Sequence, residues 1–244
     1  MQTPWEILQS ALRETLTDAG RTPLEIRLLP PLSQGELAQL ETELGRKLPA
    51  DLRELLVLCR GFEFSPVGTV DFSGGEMSVA IPFAAIPVLP DGSGNFWVVD
   101  IEPEERSGSV MFWCHDPAVM VIQAPTLSEF VQQALGIGRP GHSDPLTFIK
   151  EERSRQIWAD DPYLVRAAEA RESADPDLAA FATELAGDFY IADLRKREIG
   201  SGFSWGRTDS DVRRFKDKLI FGIEKKTSLF GKLFRRQLKT VLFN

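Results

Sequence analysis

The chain has 244 residues, enough for one large domain or two small ones, and 43% of them are hydrophobic, which excludes wholesale disorder. Its net charge of −8 divides unevenly: residues 1–194 hold 14 Lys and Arg against 31 Asp and Glu, and residues 195–244 hold 14 against 5. A body of net −17 beside an end of net +9 argues against nucleic acid and anionic membrane as partners of that body and favours a basic protein.

The start, MQTPWEILQSALRETL, predicts an N-terminal helix and lacks the basic-then-apolar order of a secretory signal. No run in the chain reaches the ~20 apolar residues of a membrane span, and a cytoplasmic location is expected. Ser33 stands three residues before Glu36, the spacing of a capping box. Leu37, Leu40 and Leu44 then share one helical face, and Gly45 predicts a stop. Pro49 suits the first turn of a second helix, with Leu52, Leu55, Leu56 and Cys59 as its apolar stripe and Gly61 as its end.

Asp91 to Asn95 reads as a tight turn feeding a strand from Phe96 to Ile101. Val110 to Trp113 and Val119 to Gln123 read as further strands. Thr126 caps a closing helix that carries Leu127, Phe130, Val131 and Leu135. Two helices, several strands in succession and a helix, without βαβ alternation, predict an α+β fold with a mostly antiparallel sheet flanked by helices.

The stretch Gly136 to Pro145 is rich in Gly and Pro and predicts a boundary. It separates a domain of residues 1–140 from a C-terminal α+β extension of residues 141–244 packed on it. In the extension, Asp161-Pro162 and Asp175-Pro176 predict helix starts. Phe189 to Ala192 and Leu219 to Ile223 predict strands, separated by the Gly-rich GSGFSWG at 200–206. These pieces extend the first sheet or form a satellite of two helices and a hairpin; a satellite packed on the first domain is expected rather than an independent domain. From Leu229 to Leu242, seven large apolar residues fall on one helical face and Lys232, Arg235, Arg236 and Lys239 on the other. A basic amphipathic helix of this kind suits an anionic membrane, a partner groove or the acidic body of its own chain. The last is expected.

The chemistry available is sparse. His115 and His142 are the two histidines, and Cys59 and Cys114 the two cysteines. Cys114 and His115 are adjacent in a strand and so face opposite sides, and no further ligands stand at zinc spacing. Buried reduced thiols and a turn histidine are expected. Asp91, Ser93, Asn95 and Glu102 mimic positions of a calcium loop, but Phe96 stands where the sharp turn requires Gly. Gly200, Gly202 and Gly206 miss the dinucleotide spacing, and no phosphate loop occurs. No nucleophile, base and orienter stand out as a set. The sequence therefore assigns no catalytic residue, no metal ligand and no cofactor, and a non-enzyme is expected. Asp91, Glu102, Glu104 and Glu105, in the turns bounding the central strands, are the candidate partner contacts.

The order of these pieces from Leu32 to Leu135 resembles the SUKH superfamily, in the branch similar to the yeast cell-wall assembly regulator. The residues that carry the resemblance are the Glu36–Gly45 helix ending in ELG, the Leu48-Pro49 start and the Leu55-Leu56 to Gly61 helix end. The Gly92–Phe96 turn and the Val110–Pro117 strand with its His115-Asp116 complete it. The resemblance implies a sheet of about six strands, an ordinary size, with helices around it. In bacteria it implies an immunity protein that neutralises a co-encoded, secreted toxin or effector by binding it. The alternative is a non-enzymatic scaffold or regulator, similar to the yeast relative, with no toxin. The resemblance implies no shared catalytic motif, and toxin-contacting residues vary across the superfamily, so no site is carried over.

Overall fold

Two capping boxes set the first helices. In this computed structural model, which describes residues 2–75, 81, 83–101, 107–186, 188–196, 198–206 and 212–224, Thr3 opens α1 (Pro4–Arg13) with Glu6 closing the box. β1 (Ile26–Leu29) follows. Ser33 then opens α2 (Gln34–Leu44): the Glu36 amide donates to Ser33 Oγ at 3.3 Å and the Ser33 amide donates to Glu36 Oε2 at 2.7 Å. Gly45 ends α2 in the left-handed conformation at φ 67°, which glycine adopts without Cβ strain. Pro49 stands at the N-cap of α3 (Ala50–Leu58), one position earlier than its spacing predicts.

The strands come next: β2 (Gly61–Phe64), β3 (Gly68–Asp71), β4 (Ala85–Pro90), β5 (Phe96–Asp100), β6 (Val110–His115) and β7 (Ala118–Ala124). α4 (Leu127–Gly136) is capped by Thr126. A short α5 (Pro145–Thr147), a π-helical stretch (Phe148–Arg153) and α6 (Ser154–Asp160) then run on as one helical segment. β8 (Leu164–Arg166), α7 (Ala167–Ala170), α8 (Pro176–Glu184), β9 (Phe189–Asp193), β10 (Gly202–Ser204), β11 (Val212–Arg214) and β12 (Ile220–Glu224) complete the described chain.

The fold is α+β and its strands pair antiparallel, but they form three sheets in place of the single sheet of about six expected from the resemblance. The orders are β1-β2-β3, β10-β7-β6-β5-β4 and β11-β12-β9-β8. β7, AVMVIQA, is buried along its whole length, so both faces of the five-stranded sheet must be covered. On one face Val99, Phe112, Cys114, Val119 and Val121 pack with Leu8, Leu52, Leu56 and Phe130 from α1, α3 and α4. On the other, Val98, Met111, Trp113, Met120 and Ile122 pack with Ala192, Phe221 and Ile223 of the four-stranded sheet and with Phe203 of β10. The far side of that second sheet carries Phe189, Ile191 and Ile220 against Phe181, Ala182 and Leu185. The layers therefore run helices, sheet, sheet, helices.

The C-terminal extension joins the first domain in both ways open from the sequence. β8, β9, β11 and β12 build the satellite, and β10 adds a strand to the first sheet with Gly202 opposite Val121. GSGFSWG, expected as a separator, contains this strand. A Cβ at Gly202 would meet the Met120 carbonyl oxygen at 2.0 Å, so glycine is what permits the pairing. Gly202→Ala should cost about 1–3 kcal/mol, as an overpacked core position does. The stacked Trp113–Trp205 pair, 4.5 Å between rings, reports on it through tryptophan fluorescence during urea unfolding.

Asp161-Pro162 also differs from expectation. It starts no helix. Asp161 ends α6 in the left-handed region at φ 46°, and its carboxylate accepts from the Ser204 amide at 2.7 Å and from the Ser204 hydroxyl. An Asx side chain that could cap a helix start here holds down β10 instead. Asp175 does cap α8, accepting from the Asp177 and Leu178 amides.

Candidate functional site

The four acidic residues singled out by the sequence fall on two segments. Asp91 belongs to the turn before β5, whereas Glu102, Glu104 and Glu105 follow β5 and lie outside the described residues.

Asp91 faces inward. Its carboxylate accepts from the Ser93 amide at 2.7 Å, the Asn95 amide at 3.0 Å and the Asn95 side-chain amide at 2.8 Å, and Lys150 Nζ stands 3.4 Å away. The side chain is 1% exposed. Burial alone would raise its pKa, but the hydrogen bonds from Asn95 and Ser93 and the Lys150 charge outweigh burial and hold it below the ordinary Asp value. Asn95 Oδ1 in turn accepts from the His115 amide at 2.9 Å. This turn shapes the ends of β5 and β6 and leaves no free carboxylate for a partner.

The segment that carries the other three glutamates is held at both feet. The Ile101 carbonyl accepts from Arg46 Nη1 at 2.8 Å, and the Ile101 amide donates to the Ala84 carbonyl at 3.0 Å. Beyond it, Ser107 donates from its amide and its hydroxyl to the two oxygens of Asp51, each at 2.8 Å. Below, the Gly108 amide reaches the Asp100 carbonyl and the Asp100 amide reaches the Ser109 carbonyl, each at 3.0 Å. Arg46 lies in the α2–α3 connection and Asp51 in the first turn of α3. The α2–α3 connection and the first turn of α3 thus hold Ile101 and Ser107, the residues on either side of 102–106. Sequence reasoning missed Arg46 and Asp51, because their contacts reach 55 and 56 residues along the chain.

The groups with reactive chemistry are otherwise engaged. Burial raises both thiols, Cys59 and Cys114, to about 11, so the nucleophilic thiolate is scarce at neutral pH. Native protein at pH 8 should resist iodoacetamide at both positions and take up two equivalents once unfolded in urea, as mass spectrometry would read; rapid labelling of the folded protein would contradict this burial. His115 is exposed at the end of β6, and His142 Nδ1 stands 3.3 Å from the Pro140 carbonyl. Arg53 pairs with Glu41 and Arg60 with Asp71. Among the described residues no three His, Cys, Asp or Glu side chains converge as metal ligands. No helix among them is long and apolar enough to cross a membrane. The amphipathic stretch from Leu229 to Leu242 lies outside the described residues.

Residues 31–133 match the model of the SMI1 / KNR4 family (SUKH-1). That range begins just before α2 and ends within α4, so it holds α2, α3 and β2 to β7. No curated protein and no solved structure matches the chain.

Proposed function

We propose, from the match of residues 31–133 to the SMI1 / KNR4 family (SUKH-1) model, that the protein is an immunity protein that binds and neutralises a cognate secreted toxin or effector in the cytoplasm. That match is the observation that carries the reading. The acidic body, net −17 over residues 1–194, supports a basic partner through complementarity and steering. Neutralisation is by occupancy and uses no catalysis, metal or cofactor.

The test is growth of cells that express the toxin encoded beside the gene, with and without this chain. Rescue in proportion to a one-to-one complex supports the reading. Absence of rescue with every neighbouring toxin overturns it in favour of a scaffold or regulator, and rescue at far below stoichiometric amounts points to an enzyme.

The contact element proposed is the rooted acidic segment. Charge reversal of Glu102, Glu104 and Glu105 together should slow association with a basic toxin by about tenfold or more at low salt and flatten its salt dependence. Stopped-flow binding reads both. An unchanged on-rate at low salt removes this segment from the interface. Asp91 stays as it is, because its carboxylate builds a turn.

A further inference from the structure

Residues 225–244 carry six Lys and Arg and no acidic residue, and their pattern puts seven large apolar residues on one helical face. A patch that size is rarely left in water by a soluble monomer. The chain leaves β12 at Glu224, whose register partner is Phe189 of β9, and β9 pairs in turn with the edge strand β8.

On the α7–α8 side of β8 and β9 lies a groove of about 360 Å³. Its apolar lining is Tyr163, Val165, Leu178 and Ile191, and Glu169 and Glu172 stand at its edge. Val165 is 47% exposed although its register partner Ile191 is buried, so the groove is open where a side chain could still be covered. Glu169 and Glu172 are exposed, and among the described residues neither pairs with a cation. Arg171, between them in sequence, donates instead to the carbonyls of Ala182 at 3.2 Å and Leu185 at 3.1 Å.

We propose that residues 225–244 of the same chain occupy this groove, with the apolar face on Tyr163, Val165 and Leu178 and the Lys and Arg residues toward Glu169 and Glu172. The reach is sufficient. β8 lies two strand spacings from β12, about 10 Å, and the four residues 225–228 span up to about 14 Å when extended. The fourteen residues 229–242 as a helix are about 21 Å long. Apolar lining, carboxylates without a cation among the described residues and the point where the chain departs agree on one occupant, and the proposal is independent of the toxin reading.

The test compares three proteins: the full chain, the chain ending at Glu224, and the full chain with Glu169→Lys and Glu172→Lys. Amide exchange over residues 163–173 should be slower in the full chain than in the shortened one. Trypsin should cut within residues 225–239 at least tenfold more slowly in the full chain than in the charge-reversed one, with a Glu169→Gln, Glu172→Gln variant in between. Both glutamates are exposed, so these variants keep the fold, which circular dichroism verifies. Equal cleavage rates in the full-length proteins overturn the proposal, as does unchanged exchange at 163–173 on deletion. Protection of the tail only when vesicles with 30% phosphatidylserine are added overturns it in favour of a membrane surface.

Discussion

Replacing Asp100 with Ala should destabilise the protein by about 3–5 kcal/mol, the cost of breaking a buried ion pair by removing one partner. Asp100 is 0% exposed and Arg214 6%. The guanidinium meets the carboxylate with two nitrogens on two oxygens, at 2.5 and 2.7 Å. Arg214 cannot swing to water when the carboxylate goes. Its Nε donates to the Lys218 carbonyl at 2.9 Å, its Nη2 to the Asp217 carbonyl at 2.6 Å, and its guanidinium lies 5.3 Å from the Phe83 ring centre and 5.7 Å from that of Phe221. The cation therefore stays buried, with a charge that the protein interior penalises. Urea unfolding of Asp100→Ala measures the loss. Adding Arg214→Met should recover much of it, since an apolar replacement of the whole pair is often close to neutral. A loss under about 1 kcal/mol for Asp100→Ala would mean that the pair is weak or hydrated. The pair joins the first domain to the C-terminal extension, so its loss should loosen the docking of the two as well.

What the sequence made legible was what is local. The Ser33 and Thr126 caps, the Gly45 stop, the stripe of Leu52, Leu55 and Leu56 and the Asp175 cap all depend on neighbours within a turn or two, and all stand in the structure. What escaped depends on distant partners. β10 becomes a strand because Met120 and Val121 lie beside it, 80 residues away in sequence. β8 forms because β9 offers it an edge, which overrides the helix-start signal of Asp161-Pro162. Asp100 meets Arg214 across 114 residues, and nothing around either residue announces the other. The candidate contacts divide in the same way. That Asp91 precedes β5 and Glu102 follows it is contained in the order of the chain. That Asp51 and Arg46 root the segment between Ile101 and Ser107 is not, since it depends on how the helices lie against the sheet.

A chain cut after Pro162 should fail to give a soluble monomer, although it retains the whole family-matched range of residues 31–133. The reason is the second face of the five-stranded sheet. Val98, Met111, Trp113, Met120 and Ile122 are buried there against residues that the cut removes, chiefly Ala192, Phe203, Phe221 and Ile223. Each such side chain gains about 1.5–3 kcal/mol from burial, so uncovering five of them forfeits about 7–15 kcal/mol. That equals the entire stability of an ordinary domain, about 5–15 kcal/mol. The cut also removes β10 and turns β7 into an edge strand with every residue apolar or formerly buried, a template for pairing with other chains. Size-exclusion chromatography and dye binding to exposed apolar surface would read the outcome. Aggregation or strong dye binding is expected. A monomeric, cooperatively folding 1–162 fragment would show that the first domain covers this face by itself, and the extension would then be an accessory to the fold.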